Sequence, residues 1–260
     1  MPRFVTSVQH RLGVRFLETF LDPIPGGPIN RYRKTAFQRA WQMARGCGWD
    51  LAGDPVVEVA KYEFLRYLAG EKEVLFHASD RVGLAWLEPR SPIAELLDRR
   101  WGLYATDDPF LAMARFVMKT PGEGYRGRYM EAFSVRGKPD RLGFVSLAKD
   151  LVPAAAAMRG ALYVLPREPF VLNCRSHPQS HLSRQLYWLS GRAVQSDFES
   201  REWVCDRPVR PLASLPLTLS DLPCGVSWHE RTESRLLAMM RYAWRKIPCP
   251  AALAPRVEAA

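Results

Sequence analysis

The sequence has no long apolar run. No stretch approaches the roughly 18 consecutive apolar residues that a membrane-crossing helix needs, so a helical integral membrane protein is not expected. Cysteine is sparse and badly spaced for chemistry. Cys47, Cys174, Cys205, Cys224 and Cys249 form no CxxC pair and are odd in number. That argues against a disulfide framework and against a zinc site. Free thiols in a reducing, cytoplasmic setting are the simplest account. A phosphate loop is also missing. Gly26-Gly27 follows no strand signal and opens no helix, which leaves no Rossmann or P-loop case. No GxSxG stretch suggests a hydrolase elbow. Residues 1–20 hold Arg3, Arg11 and Arg15 but lack the compact apolar run and small-residue cleavage site of a secretory signal, so they read as part of the folded protein.

Acid is scarce at the amino-terminal end. Residues 1–46 carry Arg3, Arg11, Arg15, Arg31, Arg33, Lys34, Arg39 and Arg45 against Glu18 and Asp22. Over the whole chain 37 Lys and Arg face 27 Asp and Glu, a formal net charge of +10. Most of that charge is Arg, whose planar fork suits phosphate. Such a balance favours nucleic acid, an anionic cofactor or an anionic surface as partner. It equally fits an ordinary basic cytoplasmic protein.

What is present suits a folded globular protein. Of 260 residues 47% are hydrophobic and 25% charged, and twelve Phe, nine Tyr and eight Trp supply bulky core material. Residues 22–30, dense in Pro and Gly, read as a loop. After it, 31–45 reads as a helix with Phe37, Ala40, Trp41 and Ala44 on one stripe. A second helix is expected over 55–69. Asp54 would cap it, Val56, Val59, Ala60, Phe64 and Leu68 would form its face, and Gly70 would stop it. From residue 73 short apolar runs appear at 74–79, 102–106, 131–135, 142–147, 161–166 and 202–206, bounded by Pro, Gly and Asp as strands are. A helix over about 108–118 interrupts them, with Asp107 or Asp108 as cap and Pro109 at its start. A basic helix is expected over 229–246, with Leu236, Met239, Met240 and Trp244 on its apolar face. The fold class is therefore α+β.

Three patches carry chemistry together. Val74-Leu75-Phe76-His77-Ala78-Ser79 delivers a histidine from a strand and turns through small residues. Gly102-Leu103-Tyr104-Ala105-Thr106-Asp107 delivers a tyrosine just before an Ala-rich helix. Arg201-Glu202-Trp203-Val204 delivers a late carboxylate. Taken singly, each is a common core or surface residue: a structural histidine, a core tyrosine, a solvated glutamate. In order, at strand positions, they make a set.

This set resembles the ADP-ribosyltransferase superfamily, in the His–Tyr–Glu subgroup of poly-ADP-ribose polymerases and diphtheria-like toxins. The resemblance covers residues 73–223. It implies a split antiparallel sheet core, flanked here by a basic helical region over 1–72 and a basic helix and tail over 224–260. It also implies NAD as co-substrate and His77, Tyr104 and Glu202 as catalytic residues. Glu202 would stabilise positive charge on the ribose, Tyr104 would stack on nicotinamide, and His77 would bond a ribose hydroxyl while its other nitrogen is fixed by the backbone. His77, Ser79, Arg81, Tyr104 and Thr106 would bind the cofactor, with Ser79 and Arg81 serving its pyrophosphate. Gln195 or Glu199 is a candidate to assist Glu202, although the spacing departs from the family's usual two residues.

The resemblance leaves the acceptor open. The charge favours RNA or DNA, reached through Arg31, Arg33, Lys34 and Arg39 and through Arg231, Arg235, Arg241, Arg245 and Lys246. Tyr32, Phe37 and Trp41 are either stacking partners for bases or core. A toxin or defence effector with an inhibitor or antitoxin protein as partner fits the family. Two other readings stand beside it: transfer to a protein side chain, and a non-catalytic module of the same fold that binds a nucleotide or RNA. No metal is expected. His177 and His181 follow Cys174, but Pro178 breaks the helix that would align them, and no second cluster closes a ligand set.

Overall fold

The structure is a computed structural model, which describes residues 14–15, 17–19, 21–46, 51, 53–90, 101–120, 127–173, 194–196 and 202–245. It is an α+β fold built on two sheets. The first sheet runs β1 (Asp22–Ile24), β5 (Arg141–Ala148), β4 (Arg128–Val135), β8 (Val194–Ser196). Its β11 (Val226–His229) pairs with β5 in parallel, alongside β1 on the same strand, while the other pairs are antiparallel. The second sheet is antiparallel throughout, in the order β10 (Ala213–Leu217), β6 (Gly160–Pro166), β2 (Val74–Ser79), β3 (Leu103–Thr106), β9 (Glu202–Cys205), β7 (Val171–Asn173).

One helix joins the two sheets. Among the helices introduced here in chain order, α1 is Arg31–Gly46, α2 Pro55–Val59, α3 Lys61–Glu71, α4 Pro109–Val117, α5 Val152–Ala157 and α6 Arg235–Arg245. In α4 eight of nine residues are buried and Arg115 alone is not. Its Ala112, Met113 and Phe116 pack with Phe76, Leu162 and Val164 of the second sheet. Its Phe110, Leu111, Ala114 and Val117 pack with Met130, Ala132, Val145 and Leu147 of the first. A helix apolar all round is a buried helix, and this one lies between two layers. Asp108 starts it, accepting from the Phe110 and Leu111 amides at 2.9 and 3.3 Å, and is itself paired with Arg141 at 2.8 Å. Gly160 lets β6 approach α4, since a Cβ there would meet the Ser79 carbonyl and the Phe116 ring.

Beside α4, the same face of the second sheet is covered by α1, α2 and α3. Phe37, Ala40, Trp41 and Ala44 are all buried there, as the stripe in the sequence requires. Phe37 and Trp41 are thus core and cannot stack on bases, whereas Tyr32 is exposed. Arg33 pairs with Glu63 and Lys34 with Glu71, tying α1 to α3. The opposite face of that sheet is closed by Leu84, Leu87, Phe170 and Val209. The outer face of the first sheet is closed by Val14, Leu17 and Leu21 and by Ala238 and Met239 of α6.

Several expected elements differ. The helix over 55–69 is two helices, broken at Ala60 (φ −131°, ψ 38°). Asp54 does cap the first, accepting from Val56 and Val57 amides. Val56 and Val59 point to solvent, and the buried side is Val57, Phe64, Leu65, Tyr67 and Leu68. Gly70 does not stop α3, which runs on to Glu71. Its cost in a helix, about 1 kcal/mol, is outweighed by that buried face. Asp22–Ile24, read as loop, is a strand because it pairs with β5 and its Ile24 side chain is buried in the layer between the first sheet and α4. The helix over 229–246 begins at Arg235. Residues 226–229 instead form β11, with Val226, Ser227 and His229 buried. In α6 Met239 is buried, but Leu236 and Met240 are exposed and Ala238 takes the inner face.

Candidate active site

The sheet opens at its centre. β2 and β3 are the third and fourth of six strands, yet share one paired position, Phe76 with Thr106. Were that register to continue, Ala78 would oppose Tyr104. Instead the carbonyls on both sides of the gap take side-chain donors. The Tyr104 carbonyl lies 2.7 Å from His77 Nδ1, and the Ala78 carbonyl accepts from Lys119 Nζ. A carbonyl oxygen can only accept, so His77 carries its proton on Nδ1. Burial, aided by Lys119, Arg115 and Arg90, pushes His77 down to about 3. The ring is neutral at working pH and its Nε2 is an acceptor.

The register fixes which side chains share a face. Thr106 opposes Glu202, and Tyr104 opposes Val204. Paired residues point the same way, as do residues two apart on a strand. Tyr104, Thr106 and Glu202 therefore lie on one face, the face that α4 covers. Tyr104 and Glu202 are diagonal neighbours, about 7–8 Å apart at Cα for such a pair. Gly102 keeps space beside the ring: a Cβ there would come 2.6 Å from Val204 Cγ1 and 3.8 Å from Tyr104 Cε2. His77 is one step out of phase, paired with Tyr163 on the opposite face, and reaches Tyr104 by turning across the gap. Tyr104, His77 and Glu202 are each half-buried.

Of the other expected cofactor residues, Ser79 and Thr106 are engaged locally through their side chains and Arg81 through its backbone. Ser79 is buried and its Oγ accepts from the Arg81 amide at 3.1 Å. The Arg81 carbonyl accepts from Tyr163 Oη at 2.9 Å, while its side chain is exposed. Thr106 is buried and its Oγ1 accepts from the Asp108 amide at 3.2 Å, joining β3 to α4. Gln195 lies in β8 of the first sheet, opposite Ser134, and so in a different sheet from Glu202. Glu199, Arg201, Cys174, His177 and His181 lie outside the described residues.

Three cations were not foreseen as part of this site. Arg115 Nη2 is 2.6 Å from Glu202 Oε1. Lys119 follows it by four residues, one turn beyond. Arg90 pairs through its backbone with Gly102, two residues before Tyr104, and so shares the Tyr104 face. The signal for Arg115 was present in the sequence: one charge in the otherwise apolar PFLAMARFV has to find a partner once the helix is buried. Nothing comparable marked Lys119 or Arg90, whose roles depend on where the chain returns.

A second histidine sits in the first sheet. His229 is fully buried, 2.8 Å from Ser146 Oγ through Nδ1, and stacks on Tyr129 at 4.4 Å between centroids. Its Nε2 has no partner among the described residues. Burial holds it down to about 4. Helix α6 closes over this face. Arg235 pairs with buried Glu131, Arg241 with Glu233, and Tyr129 Oη donates to the Glu233 carbonyl. Arg231 pairs with Asp150. Among the described residues no three His, Cys, Asp or Glu side chains come together to hold a metal, and no helix is long and apolar enough to cross a membrane.

Compared with protein-family models, curated proteins and solved structures, the chain gives no match.

Proposed function

We propose that the chain is an NAD-dependent ADP-ribosyltransferase that releases nicotinamide and passes ADP-ribose to a nucleic acid. The observation that carries this reading is the opening between β2 and β3: Tyr104 and Glu202 share one face beside it, and a neutral imidazole is turned into it. NAD supplies a nicotinamide–ribose bond whose cleavage leaves positive charge on the ribose, as in glycoside cleavage. The residues here fit that ligand. Tyr104 offers a flat ring with space kept open by Gly102. Glu202 offers a carboxylate on the same face, where developing positive charge is stabilised. His77, protonated at Nδ1 and fixed by the Tyr104 carbonyl, offers Nε2 to accept from a ribose hydroxyl.

The acceptor follows from charge. The excess of ten positive charges favours a polyanion over a protein side chain. The pairing of Arg33, Lys34, Arg231, Arg235 and Arg241 with local acids removes much of the pull of α1 and α6. A toxin or defence effector working in the cytosol, held in check by an inhibitor protein, fits such an activity.

One observation favours a second reading. Glu202 is already neutralised by Arg115, as a structural partner for a half-buried guanidinium would be. On that account the fold binds a nucleotide or RNA without turnover. Labelled NAD offered with separate pools of RNA, DNA and protein decides between them. The transferase reading expects label on nucleic acid and loss of turnover in Glu202→Gln. Label on protein alone removes the nucleic-acid acceptor, and no turnover by the parent chain favours the binding module.

A further inference from the structure

Lys119 is hard to account for as a structural lysine. It is half-buried just past the end of α4, and its ammonium donates to the Ala78 carbonyl at the edge of the gap. An ammonium has three donors, and among the described residues that carbonyl is its hydrogen-bond partner. Asp80 is the acid that faces it; Arg90 and Arg115 face it as like charges, and all three cations act on neutral His77. Arg115 is balanced by Glu202. Folding thus gathers three positive charges around one opening, at a cost in repulsion and desolvation that a surface lysine would not incur.

We propose that Lys119 and Arg90, with Arg115 beside them, form a subsite for a phosphate group at the Ala78 end of the β2–β3 gap. The chemistry is that of a charge-assisted anion clamp: an ammonium fixed at one corner by a backbone carbonyl, and a guanidinium on the Tyr104 face to meet the same oxygens. The phosphate has two sources, the diphosphate of NAD or a phosphate of the nucleic-acid acceptor. Assignment to either one rests on the transferase reading, whereas the anion chemistry does not. The subsite takes the phosphate role expected of Ser79, whose Oγ is used in the turn after β2, and leaves the exposed Arg81 side chain open to the same role. Burial brings Lys119 down to about 8, with Asp80 opposing and Arg90 and Arg115 adding to the fall. Anion affinity is therefore full below that pH and declines as pH rises through it, while His77 stays neutral across the same range.

The test is calorimetric titration of the full chain with inorganic pyrophosphate, with NAD, and with a 5′-phosphorylated oligonucleotide beside its unphosphorylated twin. The parent binds pyrophosphate, Lys119→Gln weakens it by about tenfold, and Lys119→Arg restores most of the loss. Thermal melting reports whether each variant is folded. If Lys119→Gln does not fold, Arg90→Gln gives the same reading from an exposed position. A folded Lys119→Gln that binds pyrophosphate as tightly as the parent overturns the subsite, as does unchanged binding in Arg90→Gln. Loss for pyrophosphate and NAD alone assigns the subsite to the cofactor; loss of the preference for the phosphorylated oligonucleotide assigns it to the acceptor. Lys119-dependent pyrophosphate binding without nicotinamide release from NAD removes the transferase reading and leaves the subsite standing.

Discussion

His77 and His229 sit in different sheets and share one physical state. Each is kept neutral chiefly by burial and fixed through Nδ1 by a neighbour. They differ in what lies beyond the ring. His229 faces a closed layer, with Ser146, Tyr129 and helix α6 sealing it. His77 lies at an opening between two central strands, with a tyrosine, a carboxylate and three cations around it. A depressed imidazole is thus no mark of function by itself. The strand separation is what makes one of the two accessible.

Helix α4 separates the two regions, and removing its packing should hurt both. Phe116→Ala, which empties a fully buried ring site between α4 and β6, should cost about 3–5 kcal/mol in urea unfolding. A loss under 1 kcal/mol would mean the helix is not the common core. Glu202→Gln should lower NAD turnover about 100-fold or more in a chain that still folds, since the amide oxygen can go on accepting from Arg115. Equal turnover in mutant and parent would make the Arg115 pair purely structural. The comparison then predicts the reverse for the other sheet. His229→Asn should cost about 1–3 kcal/mol of stability, through the lost Ser146 bond and Tyr129 stack, and leave turnover intact. A drop in turnover at full stability would break the distinction between the two histidines.

Acid should act on both histidines. Their folded pKa values, about 3 and about 4, lie below the ordinary 6.5 of the unfolded chain. Between those limits the unfolded state binds more protons, so stability is complete above about pH 6.5 and falls progressively toward pH 3. Melting curves across pH 3–8 would show this, and His229→Asn should flatten the slope. A pH-independent melting temperature over that range would contradict it. The smallest effect is expected at Tyr104, where Tyr104→Phe keeps the ring and should leave the KM for NAD near its parent value, while Tyr104→Ala should raise it about tenfold.

Much of the second sheet could be read in advance because its strands are short apolar runs closed by Pro, Gly or Asp, and because Asp108-Pro109 announces α4. The amphipathic stripe of α1 was equally plain. Failures fell where long-range contacts override local pattern. β1 and β11 exist because both find the free edge of β5, more than 80 residues away from β11 and over 110 from β1 in several pairs. Gly70 reads as a stop and is carried through by the buried face of α3. At the site, strand placement of His77, Tyr104 and Glu202 was legible, as was the backbone anchor on the imidazole. Lys119 and Arg90 were not, since they acquire meaning from the parting of β2 and β3 beyond one paired position, which no local pattern encodes.

The most direct measurement is a crystal structure of the chain soaked with NAD. The nicotinamide ring should lie against Tyr104 at the β2–β3 opening, with ribose hydroxyls within hydrogen-bond reach of Glu202 and His77 Nε2. Dinucleotide bound at another surface, with the Arg115–Glu202 pair and the opening undisturbed, would contradict the account.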